Sequence, residues 1–245
     1  MTHKTRGIVL RSIKYGETSL VVTIFTELFG IQTYMVNGVR TSKQSTSRAN
    51  HFQPAAILYL VVYHNESKSM QRIREFSWGV IYREVLNNVI RNSIASFMVE
   101  LLLKCLKQPE PNTDLFNFYE DALMQLDMSG KTVTANLPLF ISLHLANFFG
   151  FRMTDNYNEA HVFLDLQEGV FTAEMPVHPH FLEGEYARLT SQLLKVMHPL
   201  ELEDLKLNQE WRRTLLLRYM DYYALHISDF GQMRTLMVLH EVLGA

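Results

Sequence analysis

Apolar and polar positions follow two different rhythms along the chain. Over the first 75 residues the apolar runs are short, rich in β-branched residues and bounded by glycine turns. Gly7–Ile13, Leu20–Thr26, Ile31–Val36, Ala56–Tyr63 and Met70–Phe76 read as five strands, punctuated by Tyr15-Gly16-Glu17, Gly30 and Asn37-Gly38. Five short strands with such turns predict a small closed barrel. One connection is long: Arg40 to Pro54, polar and rich in Ser and Thr.

After Trp78-Gly79 the period changes to that of a helix. Ile81, Val85, Leu86, Val89, Ile94, Phe97, Met98, Leu101 and Leu102 fall on helical spacing, and Val80 to Gln108 contains no Gly or Pro. This predicts a single helix about 40 Å long, ended by Pro109 and Pro111. Further helices are expected over Asp114–Met128, with Thr113 or Asp114 as cap, over Leu137–Phe149, starting or kinking at Pro138 and ended by Gly150, and over Phe181–Met197, Trp211–His226 and Met233–Leu243. His161–Leu166 and Val170-Phe171 flank Gln167-Glu168-Gly169 as a small hairpin. The fold class expected is α+β, with a barrel over residues 1–78 and a helical domain over 79–245 that carries the hairpin near 161–172.

Charge divides at the same place. Residues 1–75 hold ten Lys and Arg against four Asp and Glu, a net +6, while residues 76–245 hold thirteen against twenty-one, a net −8. A basic front and an acidic back imply different partners, and the front is the half suited to phosphates. The 245 residues suffice for a core without disulfides or metals. The single cysteine, Cys105, can neither form an intrachain disulfide nor build a cysteine zinc cluster, and within Leu101–Leu106 it reads as a small buried hydrophobe. Unbroken apolar runs are far shorter than the roughly 20 residues of a membrane span, and the first 15 residues mix Lys4, Arg6, Arg11 and Lys14 into the apolar pattern, unlike a signal peptide. A cytoplasmic protein without membrane contact is expected.

Searching for bond-making chemistry yields little. The chain has no glycine-rich phosphate loop and no Gly-x-Ser-x-Gly elbow, and Gly244 stands where a zinc-protease helix would need its second histidine after His240-Glu241. His178-Pro179-His180 with Asp165 or His161 is the nearest approach to a ligand cluster, and the alternative is a helix start with histidines flanking a turn. His144 and His226 lie in apolar helical surroundings, where histidines serve as hydrogen-bonded core or boundary residues. Arg212, Arg213 and Arg218 share a helix and suit solvent-facing pairing with Glu201, Glu203, Asp204 and Glu210. No cofactor is expected. The barrel stands out instead: Arg11, Lys14, Arg40, Lys43, Arg48, Lys68, Arg72 and Arg74 supply charge for a phosphate backbone. Tyr15, Tyr34, Tyr59 and Tyr63 are candidates for base stacking, with sheet or core packing as the alternative for each.

These residues carry a resemblance. Gly7-Ile8-Val9-Leu10, Tyr15-Gly16-Glu17, Phe25-Thr26 with Gly30, Val36-Asn37-Gly38-Val39-Arg40 and Phe52-Gln53-Pro54 are similar to the N-terminal segment of the RecO family, bacterial mediators of recombination and DNA repair. Phe148-Phe149-Gly150-Phe151 and Leu215-Leu216-Leu217-Arg218-Tyr219 resemble its helical half. The resemblance implies an oligonucleotide-binding (OB) fold followed by helices. It also implies a protein that is no enzyme: one that binds single- and double-stranded DNA, anneals complementary strands coated with single-stranded DNA-binding protein (SSB), and helps load RecA. Implied partners are the acidic SSB tail, RecR and, through it, RecF. Arg11, Lys14, Arg40, Lys43, Arg48, Lys68 and Arg72 become the expected DNA contacts, and Lys104, Lys107 and Arg152 the expected positions for the SSB tail. One departure matters: many members carry a four-cysteine zinc module after the position of Gly150, and Gly150 to His180 here holds no cysteine. No zinc role carries over, so packing must hold the hairpin. Two other readings remain open at this level: a barrel-plus-helices adaptor for RNA or protein, and a metal-dependent enzyme using His161, Asp165, His178 and His180.

Overall fold

A computed structural model describes residues 2–39 and 48–243. Strands β1 (Thr2–Tyr15), β2 (Ser19–Thr26), β3 (Gly30–Val36), β4 (Ile57–Tyr63) and β5 (Gln71–Trp78) close into a barrel in the order β1-β2-β3-β5-β4. All neighbours are antiparallel except β3 and β5, which pair in parallel at Tyr34↔Gln71 and Met35↔Arg72. This is the expected OB-type barrel. Alternation fills its interior: Leu20, Val22 and Ile24 of β2 and Leu58, Leu60 and Val62 of β4 face inward around Tyr34 and Phe52. Tyr34 is fully buried there, so this candidate stacking residue is a core residue, and burial pushes its phenol pKa up.

A bulge in β1 sets which way the rest of that strand faces. Val9 pairs with Ile24 and Arg11 with Thr23, which leaves Leu10 as the extra residue. Val9 points into the barrel, while Ile8 and Leu10 join Phe25 and Ile57 in the core shared with the helices. Without the extra residue Arg11 would oppose the inward-facing Val22.

The helical part follows. Helices α1 (Val89–Cys105), α2 (Thr113–Met128) and α3 (Lys131–Leu145) pack together. A 3-10 turn over Ala146–Phe149 ends at Gly150, whose φ of +81° suits a residue without Cβ. A sheet of β6 (Phe163–Asp165), β7 (Val170–Thr172) and β8 (Phe181-Leu182) precedes α4 (Gly184–Leu194), a 3-10 turn over Pro199–Asp204, α5 (Gln209–His226) and α6 (Arg234–Val242). One apolar core runs from the barrel's outer wall through all of these helices, so barrel and helices are joined by packing as well as by chain. Cys105 lies in that core, and burial pushes its thiol pKa up. The stretch Lys131–Phe149 is long and apolar enough to cross a bilayer by composition, but 67% of its apolar window is buried in this core.

Several boundaries differ from expectation. The first helix starts at Val89, not Val80, and runs about 25 Å. The Asp127 carboxylate accepts the backbone N–H groups of Arg83, Glu84 and Val85, each at 2.9 Å, and Asn88 Oδ1 then caps the helix through Ile90 and Arg91. α2 is capped by Asn112, whose Oδ1 accepts the Leu115 N–H at 2.9 Å, in place of Thr113 or Asp114. α3 begins seven residues ahead of Pro138, which sits inside it. Phe181-Leu182 is strand, not helix, because β6 offers its backbone and pairs Leu164 with Leu182. Arg218 donates to the carbonyls of Pro179 and Phe181 at 3.0 Å each and pairs with Asp221, so it ties β8 to α5 and leaves Glu201, Glu203 and Asp204 without it. Arg212 is half-buried and donates to the Leu207 carbonyl, another departure from solvent-facing pairing.

Candidate nucleic-acid interface

Register builds a row of outward side chains across the barrel. Ile13 pairs with Val21, Val21 with Met35, Met35 with Arg72 and Arg72 with Tyr63. Directly opposed Cβ atoms lie about 5 Å apart, so this row is continuous. Ile13, Arg72 and Tyr63 are exposed and Val21 and Met35 half-buried. Beside it runs the row Arg11–Thr23–Thr33. Lys14 and Tyr15 extend the β1 end, and Tyr15 is 58% exposed. Across this face apolar and aromatic surface lies between cations at either side: Arg11 and Lys14 on β1, Lys68 and Arg72 on the β5 side.

The loop that carries Lys68 is held in place. Gln71 is buried, donates through Nε2 to the carbonyls of Asn65 (2.9 Å) and Lys68 (2.7 Å), and accepts the Asn65 N–H at 2.9 Å. Asn65 in turn receives the Ser67 N–H at 3.0 Å, closing an Asx turn. Next to this loop a cleft of about 970 Å³ opens between His3, Phe29, Tyr63, His64, Lys68 and Arg72. Phe29 stacks on His64 with 4.0 Å between ring centres and meets His3 edge-on at 5.3 Å. His3, Phe29 and His64 were not singled out in the sequence, where nothing in their spacing marks them. They come from three separate segments that only barrel closure brings together.

The candidate cations among the described residues have definite places. Arg11, Lys14, Lys68 and Arg72 are exposed, and among the described residues none sits within 4.0 Å of a carboxylate. Arg48 lies over the Phe76 ring at 5.4 Å, four residues along β5 from Arg72, a distance of about 13 Å at strand rise. Arg74 is paired with Glu75 at 3.2 Å. Arg40 and Lys43 fall outside the described residues. Tyr59 and Tyr63 are about half exposed, Tyr63 on the row and Tyr59 in a second cleft beside Lys4 and Glu75. Glu66 also lines the first cleft, so the face is not purely basic.

Two of the candidate positions for an acidic tail, Lys104 and Lys107, lie at the C-terminal end of α1, and the third, Arg152, follows Gly150. Lys104 donates to the Phe230 carbonyl and lies over that ring at 5.3 Å, which commits it to holding the C-terminal segment. Lys107 is exposed beyond the end of α1, and Arg152 is exposed just after Gly150.

The histidine cluster is a hairpin brace. His178 Nε2 donates toward Asp165 Oδ2 at 3.2 Å, and its Nδ1 accepts the His180 N–H at 3.3 Å. Asp165 Oδ1 accepts the N–H groups of Gln167 (2.7 Å) and Glu168 (3.2 Å) in the hairpin turn. Both imidazole nitrogens of His178 are therefore engaged, and His161 is held by Asn158. No group of three metal-ligating side chains is assembled among the described residues. His226 is a boundary residue, bonded to the Leu166 carbonyl and stacked on Phe151. His144 is held low in pKa by burial.

Comparison with known proteins agrees with this architecture. The family model for the recombination protein O N-terminal domain matches residues 1–79, and the model for its C-terminal domain matches residues 86–156. The DNA repair protein RecO of Flavobacterium psychrophilum is 31% identical over 245 residues, covering 99% of both chains. The chain belongs to the RecO family. Other RecO proteins are similar over nearly the same span: that of Azobacteroides pseudotrichonymphae is 27% identical over 242 residues and that of Christiangramia forsetii 29% over 240 residues, with at least 98% of each chain covered. The closed barrel is therefore the N-terminal RecO domain, and in this RecO chain the hairpin after Gly150 is braced by Asp165 and His178.

Proposed function

We propose that this RecO-family DNA repair protein acts by binding DNA across the β1-β2-β3-β5 face of its barrel, annealing complementary strands and assisting RecA loading on SSB-coated single strands, together with RecR and RecF. The observation that carries the reading is the cation-flanked row from Ile13 to Tyr63, with Arg11 and Lys14 at one side and Lys68 and Arg72 at the other. Cations offset phosphate charge, while Tyr63, Tyr15 and the Phe29–His64 stack offer faces for unpaired bases. Annealing needs two polyanions brought together, and binding energy suffices for that without a group that makes or breaks bonds. The net −8 of residues 76–245 disfavours DNA on the helical side and confines it to the barrel.

The test is annealing of complementary oligonucleotides, bare or coated with SSB, followed by fluorescence quenching. The wild-type chain is expected to accelerate annealing, and a variant with Arg11→Ala, Lys14→Ala, Lys68→Ala and Arg72→Ala to lose the acceleration while keeping its melting temperature. Equal rates for the two proteins would remove the barrel face from the mechanism. The SSB tail, RecR, RecF and RecA enter this reading through the family alone, and a pull-down with each tests them separately.

A further inference from the structure

A second surface lies on the helical side, in a region the DNA reading does not use. α2 and the segment after α4 enclose a groove of about 370 Å³. Its floor is aromatic: Phe118 and Phe140, with ring centres 6.3 Å apart. Its lip is methionine: Met124, Met128 and Met197 are 36%, 62% and 77% exposed, and Leu200 beside them 54%. Unbranched, polarizable side chains held in water at the mouth of an apolar groove are costly unless something covers them, and methionine adapts to a helical or extended apolar segment.

Charge specifies the occupant. Asp121 lines the groove, and Glu201, Glu203 and Asp204 stand on the 3-10 turn that follows Pro199. Glu201 accepts the Met197 N–H at 3.0 Å, which places its carboxylate at the methionine lip. None of these four acids has an ion-pair partner among the described residues, and two of the three arginines of α5 are engaged elsewhere, Arg212 by Leu207 and Arg218 by Pro179, Phe181 and Asp221. Of the cations nearby, Lys195 is paired with Asp155 at 3.4 Å, His198 caps the turn through Leu200, and Lys131 stands at the start of α3, and none of them lies within 4.0 Å of these carboxylates. We propose that this groove is a docking site for a cationic amphipathic segment of a partner protein, with its apolar face on Phe118, Phe140 and the methionines and its cations on Asp121, Glu201, Glu203 and Asp204. An acidic tail and a nucleic acid are both repelled by this rim, so the site is separate from those that the family resemblance implies. The proposal stands without the barrel's DNA-binding role.

Methionine-methyl NMR of the full chain reads this directly, with an amphipathic Leu/Lys helical peptide as probe and its Leu/Glu counterpart as control. The Leu/Lys peptide is expected to shift the methyl signals of Met124, Met128 and Met197 and to leave Met175 and Met237, which are also exposed, unchanged. Met128→Gln with Met197→Gln is expected to weaken the peptide about tenfold. Glu201→Lys with Glu203→Lys is expected to weaken it comparably and to flatten its salt dependence. Both variants should keep the wild-type circular dichroism spectrum and melting temperature, which shows that they are folded. The proposal is overturned if all exposed methionines respond alike, if the Leu/Glu peptide binds as well as Leu/Lys, if a short oligonucleotide moves the same three signals, or if the groove proves to be covered by a second copy of the chain in sedimentation experiments.

Discussion

Arg6 on β1 grips Glu27 with two parallel hydrogen bonds, Nε to Oε2 at 2.9 Å and Nη2 to Oε1 at 2.7 Å, and reaches across to Glu120 and Asn117 of α2. Its guanidinium also lies over the Phe116 ring at 5.0 Å. One side chain thus joins the barrel to the helical core. Nearby, Gly30 (φ +61°) packs so closely on Glu110 that a Cβ there would fall 2.2 Å from the Glu110 carbonyl oxygen.

Truncating Arg6 leaves the part-buried Glu120 uncompensated, with burial already raising its pKa. Arg6→Ala is expected to cost about 2–3 kcal/mol, and Gly30→Ala at least as much through the clash and the left-handed backbone. Urea unfolding measures both. A loss below about 0.5 kcal/mol for either would mean that the barrel and helices do not depend on this seam.

Asp127 gives a pH-dependent expectation. Burial pushes its pKa up, but hydrogen bonds from the Arg83, Glu84 and Val85 N–H groups, with the Arg91 charge, outweigh burial and hold it below the ordinary carboxylate value. A carboxylate with a depressed folded-state pKa adds stability above its unfolded value of about 3.9 and loses it as pH falls through the folded value. Thermal melts should therefore fall as pH drops below about 4, and Asp127→Asn should flatten that fall. Asp127→Ala strands three donors and is expected to cost about 2–3 kcal/mol at neutral pH.

The Asp165 brace predicts behaviour toward metal. A chelator should leave the melting temperature unchanged, whereas Asp165→Ala removes the acceptor for Gln167, Glu168 and His178 and should lower it by about 4–8 °C. A drop with chelator in the wild-type chain would contradict the hydrogen-bonded role given to His178.

Much of this was legible in residue order. Short β-branched runs with Gly16 and Gly30 between them gave five strands in the right places, and the +6 and −8 halves separated barrel from helices. What escaped depended on partners distant in sequence. The start of α1 at Val89 is set by Asp127, some forty residues on, against a local pattern that favours helix from Val80. Phe181-Leu182 is drawn into strand by β6. Tyr34 and Tyr63 look alike in an alternating run, and only the closed register sends one inward and the other out. For the proposed interface, the cations stand out by charge alone; the His3–Phe29–His64 wall and the groove at Met128 and Met197 do not, since each needs elements far apart in the chain.

The most direct test of the central claim is the salt dependence of single-stranded oligonucleotide binding, measured by fluorescence anisotropy for the wild-type chain and for the variant with Arg11, Lys14, Lys68 and Arg72 all changed to Ala. Contact of these four with phosphate predicts affinity that falls steeply with salt in the wild type and a log–log slope shallower by about 3 units in the variant. Identical slopes, or no binding by the wild type at micromolar protein and low salt, would contradict a DNA-binding face on the barrel.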